Sequence, residues 1–236
     1  MPKLYGIEHI TYLITAFVLG VAIFFLCKRL CKTEKQQEIM FRVLGAVGLT
    51  CIIINRIFLA YIKYRYNLWW LIPDSFCGMT SLMLSISLLF FRKDNYLLHG
   101  VWLLCIVGMT ITNFYPDFIG QNESFFYLPT ISGLLHHTVS LFNIIMVFAF
   151  KYVHLTYKKS WVQPILIGTY LLTGVFLIYV ARFSDAYYFF KPAVPGTPLY
   201  MWLMLILYTV VYALIMLIIE LVRRHKKPKT EEQHQQ

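Results

Sequence analysis

The stretch FFYLPTISGLLHHTVSLFNIIMVFAF, residues 125–150, decides the fold, because it is apolar and long enough to cross a bilayer yet carries two adjacent histidines. At about 1.5 Å of rise per residue, His136 and His137 lie roughly 15 Å below its start, near the midplane of a hydrocarbon core about 30 Å thick. Ser132, His136, Ser140 and Asn143 recur at helical spacing and form a polar stripe. Because unpaired polar groups cost kilocalories in hydrocarbon, the stripe must face protein or a water-filled cavity.

Two interpretations of the histidines are open at this point. An ionisable residue inside a membrane is by default a candidate for a functional site. A neutral histidine can instead donate one interhelical hydrogen bond and serve helix packing alone. Which interpretation holds depends on the groups that the other helices bring to the same depth.

The composition places the whole chain in the membrane class. It has 236 residues, of which 59% are hydrophobic and only 14% are charged, a balance that no soluble class shows. We predict an all-α polytopic membrane protein with a single seven-helix domain over residues 1–222 and a charged tail over 223–236. The apolar runs predict spans at 7–27, 40–62, 71–91, 96–114, 125–150, 161–181 and 199–222.

The net charge of +10 is explained by where the cations lie. Lysines and arginines cluster after the first, third, fifth and seventh spans, and few lie on the other side. The positive-inside rule then predicts an N-terminus outside and a C-terminus in the cytoplasm. The same placement indicates membrane lipids as partners, and it leaves no basic stripe for nucleic acid.

The sequence carries no pattern for a cofactor or a metal. Its five cysteines include no CxxC pair, which argues against a zinc site and a disulfide framework. The seventh span contains no lysine, so a retinal Schiff base is not expected.

The second span combines small residues with a deep cation. Gly45, Gly48 and Asn55 share one face, which favours close helix packing. Arg56 lies near the outer end of the span and needs a carboxylate or a lipid phosphate, unless its side chain extends to the interface instead.

The third span holds the densest cluster of candidate nucleophiles. We expect Pro73 in its first helical turn, where the missing N–H costs nothing. Asp74, Cys77 and Ser81 follow at steps of three and four and so share a face, with Ser75 beside them. This span enters from the same side as residues 125–150, so a modest tilt brings Cys77 within reach of the histidines.

Further polar residues near the outer ends of the spans are candidate substrate contacts. They are Asn55, Arg56, Asn113, Asp117, Arg182 and Lys191.

Several short motifs together resemble a known family. The chain is similar to the YwaF-like bacterial integral membrane proteins, which are related to the transmembrane protein 164 acyltransferases. The resemblance is carried by five short motifs. Two open a span: the Pro-x-x-x-Cys start of span three (Pro73 to Cys77) and the Glu-His pair of span one (Glu8 and His9). The others are the Tyr-Pro-Asp end of span four (Tyr115 to Asp117), the histidine of span five (His137) and the Tyr-x-Phe-x-Lys-Pro run before span seven (Tyr188 to Pro192).

The resemblance implies a buried nucleophile and histidine that move or hydrolyse a fatty acyl group, in a bacterial cytoplasmic membrane. The family histidine falls on His137, whereas the polar stripe favours His136. In the acyltransferase branch the catalytic cysteine directly follows the proline, where this chain has Asp74, and Ser75 replaces a histidine. The bacterial cysteine position is kept as Cys77.

Two functions follow as hypotheses. In the first, Cys77 or Ser75 attacks an acyl carbonyl and His137 or His136 accepts its proton, as in covalent catalysis. Asp74, Asn113 or Thr80 orients the base or stabilises the oxyanion. In the second, the chain is a non-enzymatic seven-helix protein that binds or transports a lipid or small molecule. The geometry of the nucleophile and the histidine distinguishes them.

Overall fold

A computed structural model describes residues 5–115, 124–193 and 196–225, and within these ranges all regular structure is helical. Six of the described helices have the length and hydropathy to cross a membrane, and α3 is apolar but has only 15 residues. The all-α prediction is confirmed. The helices are α1 (Ile7–Leu30), α2 (Glu34–Phe58), α3 (Phe76–Phe90), α4 (Tyr96–Phe114), α5 (Leu128–Ala149), α6 (Val162–Tyr179) and α7 (Met201–His225).

Short polar signals set where the helices begin. Thr33 and Gln36 form a capping box at the start of α2, in which the Thr33 hydroxyl accepts the Gln36 N–H and the Gln36 side chain accepts the Thr33 N–H. Asn95 accepts the N–H of Leu98 at the start of α4. Such caps satisfy N–H groups that have no partner inside the helix.

An inner bundle of α2, α3, α4 and α5 holds most of the buried side chains. α1 packs on the outside of this bundle against α5, and α6 packs against α4. His9 is the one buried residue of α1. The other side chains of that helix are exposed or half-buried, as Tyr12 is where its hydroxyl is hydrogen-bonded to Thr138 of α5. The centre of the core is formed by fully buried apolar side chains, among them Leu84, Leu88, Leu98, Met109, Ile144 and Met146.

Glycines in α2 let the α3 backbone approach closely, as the sequence predicted. A Cβ atom on Gly45 would lie 2.6 Å from the backbone nitrogen of Leu89, and one on Gly48 would lie 2.6 Å from the Ser85 hydroxyl. The polar stripe of α5 faces inward at the same contact, where Asn143 donates to the Leu44 carbonyl over 3.0 Å. The stripe therefore faces protein.

The start of α3 differs from our prediction. The helix begins at Phe76, and Ser75 is its N-cap, whose hydroxyl accepts the Gly78 N–H at 3.2 Å. Pro73 and Asp74 precede the helix, so placing Pro73 in the first turn was wrong. Tyr187 explains the difference, because its hydroxyl donates to the Pro73 carbonyl and its N–H to the Asp74 carbonyl, each over 2.9 Å. These long-range bonds hold the segment extended.

At the opposite end of the bundle, Asp94 joins the α3–α4 loop to the segment before α6. Its carboxylate accepts from the Lys159 ammonium at 2.6 Å, the His154 N–H at 2.8 Å and the His99 ring at 2.9 Å. Burial alone would raise the pKa of Asp94, but these hydrogen bonds outweigh it and lower that pKa to about 2. The loop is thus fixed by an ionised carboxylate.

Candidate active site

One cavity of about 680 Å³ lies among α2, α3, α4, α5, α7 and the segment before α7. It brings together seven of the residues that the sequence singled out: Asn55, Arg56, Asp74, Ser75, Cys77, His136 and His137. These residues come from α2, the start of α3 and the middle of α5. The polar face of α5 therefore meets the nucleophile cluster of α3 at a shared space.

The two histidines line this cavity with different hydrogen bonds. The Nδ1 atom of His137 lies 2.6 Å from the Gly133 carbonyl oxygen. Because a carbonyl can only accept, Nδ1 carries the proton and Nε2 carries the free lone pair. The Nδ1 atom of His136 lies 3.1 Å from the Ser81 hydroxyl, which can donate or accept. The His137 tautomer is therefore determined by its partner, and the His136 tautomer is not.

The thiol of Cys77 is hydrogen-bonded to a threonine in this structure. Its Sγ atom lies 3.7 Å from the Thr112 hydroxyl oxygen, and that hydroxyl donates its own proton to the Gly108 carbonyl over 2.8 Å. The Thr112 oxygen is therefore left to accept from the Cys77 S–H. Among the described residues no hydrogen bond joins Cys77 to either histidine. The thiol and the imidazoles share the cavity without touching.

Arg56 supplies a buried positive charge to the cavity wall. Its Nη1 atom donates to the Asp74 carboxylate at 2.7 Å, with the two side chains 8% and 25% exposed. Gly78 leaves space for the guanidinium, since a Cβ there would lie 2.7 Å from the Arg56 Nη2 atom. Arg56 thus pairs with a carboxylate, one of the options that its depth required. Lys63 also lines the cavity, at the end of a π-helical turn that continues α2.

Ser75 and the start of α3 add hydrogen-bonding groups to the same wall. Phe76 and Cys77 contribute the first two N–H groups of the helix, which have no acceptor inside it. The helix dipole places partial positive charge at this end. Developing negative charge on a bound carbonyl oxygen would be stabilised here.

Three of the predicted contacts do not join the cavity. Asn113 is turned toward α1 and α5, where its side chain accepts from Thr138 at 2.6 Å and its carbonyl oxygen accepts from the His9 ring at 2.9 Å. Arg182 and Lys191 are exposed and do not line the cavity. Asp117 lies outside the described residues.

Other residues of the cavity were missed in the sequence. Thr112 and Gly108 read as ordinary residues of an apolar helix, and nothing in the sequence separates them from packing positions. Tyr187 and Tyr188 adopt left-handed backbone angles, with φ of 53° and 63°, and both line the cavity. The Tyr-x-Phe-x-Lys-Pro motif marked Tyr188 but gave it no role.

The described part of the chain contains no group of three or more His, Cys, Asp or Glu side chains placed to hold one metal ion. The cavity lining supplies thiol, hydroxyl, imidazole and charged groups.

The apolar helices, which enclose a cavity lined by both apolar and polar side chains, define an integral membrane protein of the helical-bundle class. A family model matches residues 4–222. The chain belongs to the TMEM164 family, in agreement with the resemblance found in its motifs. Neither the search of curated proteins nor the search of solved structures finds a significant match.

Proposed function

We propose that this protein is an intramembrane enzyme that transfers or hydrolyses a fatty acyl group through Cys77 and His137. The observation that carries the proposal is that the thiol and an imidazole with a free Nε2 atom line one cavity among membrane-spanning helices. A substrate whose acyl chains already lie in the bilayer reaches such a site without leaving the membrane.

The reaction follows from the roles of these groups. His137 Nε2 accepts the proton of the Cys77 thiol, and the sulfur attacks the acyl carbonyl. The oxyanion is stabilised by the N–H groups at the start of α3. As the carbonyl re-forms, the bond to the leaving alcohol breaks, His137 returns the proton to that alcohol, and a thioester remains on Cys77. Water or a second lipid hydroxyl then releases the acyl group by the same steps.

His137 is favoured over His136 as the base because the Gly133 carbonyl sets its tautomer. His136 is bonded to Ser81, which in turn accepts from Ser140 over 3.0 Å, so it belongs to a polar network between helices. In this proposal His136 positions its neighbour, since the two rings lie 4.0 Å apart. The charged pair of Arg56 and Asp74 lies on the same wall as substrate contacts.

A second candidate function is the binding or transport of a lipid or small molecule without covalent chemistry. The hydrogen bond of Cys77 to Thr112, rather than to a histidine, favours this alternative. It requires only that polar groups converge on a cavity. The enzyme reading requires that the thiol turn from Thr112 toward His137 when substrate binds, as catalytic hydrogen bonds often tighten only in the complex.

Activity-based labelling distinguishes the two functions. Purified protein is treated with an acyl-thioester probe and a lipid-like fluorophosphonate, and five alanine variants are compared with the native chain: those of Cys77, Ser75, His136, His137 and Cys105. We expect thioester labelling to be lost in Cys77→Ala and His137→Ala and kept in Ser75→Ala. Cys105→Ala is the matched control, because this cysteine is fully buried and does not line the cavity.

The fluorophosphonate reports on a serine nucleophile. Labelling that depends on Ser75 would move the nucleophile from the cysteine to that residue. Absence of labelling by both probes, in protein that elutes as a single folded species, would contradict the covalent enzyme and favour ligand binding.

A further inference from the structure

Part of the cavity wall is also exposed at the side of the bundle, between α4 and α7. Val107 and Ile111 of α4 and Leu207 and Val211 of α7 all line it. The same four side chains are 44%, 47%, 49% and 45% exposed. A side chain that forms a cavity wall and is also exposed at the bundle surface marks a place where the two meet. We call these four residues the side opening.

The side opening has the chemistry of a lipid contact. All four of its side chains are aliphatic, and both helices have the length and hydropathy of membrane spans. Aliphatic side chains offer water no hydrogen-bond partner, whereas the contact of a hydrocarbon chain with them is favourable. Three charged groups of the cavity, Arg56, Lys63 and Asp74, come instead from the end of α2 and the segment before α3, and a fourth, Asp185, comes from the segment before α7.

On α4, the residues that line the cavity extend only a short distance past the level of Cys77. Gly108 is at the level of the thiol, since a Cβ there would lie 3.0 Å from the Cys77 Sγ atom. Leu103 also lines the cavity. It is five residues before Gly108 in α4, a distance of about 7.5 Å at the helical rise. Tyr208 closes the same region, held by a 2.5 Å hydrogen bond from Gln163.

A membrane lipid chain is longer than this space. One leaflet accounts for about half of a hydrocarbon core roughly 30 Å thick, or about 15 Å. A chain with its carbonyl at Cys77 must therefore leave the cavity after part of its length. Gly108 keeps the path beside the thiol free of a side chain, and the neighbouring residue Val107 belongs to the side opening.

We propose that the side opening admits one acyl chain of a membrane lipid directly from the bilayer, with the carbonyl end at Cys77 and the rest of the chain passing between α4 and α7. The reaction at the carbonyl rests on the proposed function, but the binding of the chain does not. The polar part of the lipid then lies toward Arg56 and Lys63.

The experiment uses the full chain in lipid nanodiscs with two probes. A phospholipid that carries a diazirine in the middle of one chain is photo-crosslinked, and the adducts are mapped by mass spectrometry. Acyl thioesters of four and sixteen carbons report separately on the reaction of Cys77. We expect crosslinks within residues 107–111 and 207–211 of the native protein, a result that needs no variant.

A pair of adjacent substitutions tests the route itself. Val211→Trp fills the side opening, and we expect it to lower crosslinking and sixteen-carbon labelling by about tenfold while four-carbon labelling is unchanged. Val210→Trp is the matched control, because Val210 is 52% exposed but does not line the cavity, and it should change neither readout.

The outcomes separate this proposal from the proposed function. Crosslinks at the side opening without thioester labelling would support the chain route and overturn the covalent chemistry. Crosslinks confined to other segments of the native protein, or equal effects of Val210→Trp and Val211→Trp in folded protein, would overturn the side opening as the route whether or not Cys77 is labelled.

Discussion

Arg56 carries its charge into the bundle because two neighbours accommodate it. Asp74 supplies the opposite charge at 2.7 Å, and Gly78 leaves the space that the guanidinium occupies. The pairing is incomplete, since the Arg56 Nε atom is buried without a hydrogen-bond partner among the described residues. A buried charge that depends on one carboxylate makes that carboxylate important for stability.

We expect Asp74→Asn to destabilise the protein by about 1–3 kcal/mol, because it leaves Arg56 buried without its counter-charge. The cost stays below that of breaking a fully buried pair, because the Asp74 side chain is 25% exposed. The double variant Arg56→Gln with Asp74→Asn should lose less than the sum of the two single variants. Thermal unfolding in one detergent measures this coupling in a double-mutant cycle.

The exposed pair of Arg42 and Glu38 is the control for this cycle. Its side chains are 51% and 39% exposed, so neutralising Glu38 should change stability by less than about 1 kcal/mol. Additive losses at Arg56 and Asp74 would show that the two residues do not stabilise one another.

At the scale of the elements, α2 is positioned by the glycines that it presents to α3. A Cβ atom added at Gly45 would meet backbone atoms of α3, lying 2.6 Å from the Leu89 nitrogen and 2.9 Å from the Ser85 carbonyl oxygen. A backbone cannot rotate away as a flexible side chain can. An added methyl group therefore has to push the two helices apart.

We expect Gly45→Ala to destabilise the protein by about 1–3 kcal/mol through overpacking. Gly168→Ala is the control, because a Cβ at Gly168 meets no atom within 4 Å. That substitution should be neutral or stabilising by up to about 1 kcal/mol, since alanine favours a helix over glycine. Equal unfolding temperatures for the two variants would contradict the close contact of α2 and α3.

At the scale of the whole molecule, the orientation in the membrane follows from the cations at the helix ends. Cations lie at or just after the C-terminal ends of α1, α3, α5 and α7. They are Lys28 and Arg29, Lys93, Lys151 and Arg223. The side with the excess of lysine and arginine is the cytoplasmic side. We therefore propose that the end of the cavity at Lys63 lies toward the outside.

Fusion reporters in a bacterial host measure this orientation. A green fluorescent protein fused after Gln236 should fluoresce, and alkaline phosphatase at the same place should be inactive, because the positive-inside rule predicts a cytoplasmic C-terminus. Phosphatase fused after Asn67, in the loop that follows α2, should be active and serves as the control. The reverse pattern at both sites would contradict the proposed topology.

The sequence predicts the helices more fully than it predicts the candidate site. The apolar runs predicted helices whose observed bounds agree within three residues for α1 and for α4 to α7 and differ by up to six for α2 and α3. The polar stripe of α5 predicted a buried face. Both are local properties, because hydropathy and spacing act within one helix. The start of α3 was wrong because the hydrogen bonds from Tyr187 to Pro73 and Asp74 connect residues more than a hundred positions apart.

The sequence by itself determined that this is an all-α membrane protein of the TMEM164 family, with Cys77, His136 and His137 inside its apolar spans. Only the tertiary structure decided that the Cys77 thiol is hydrogen-bonded to Thr112, that Arg56 pairs with Asp74, and that residues of α2, α3, α4, α5 and α7 line one cavity. The reason is physical. A bilayer requires each span to be apolar and to satisfy its own backbone, which is written along the chain, whereas a cavity exists only where helices distant in sequence fail to fill the space between them.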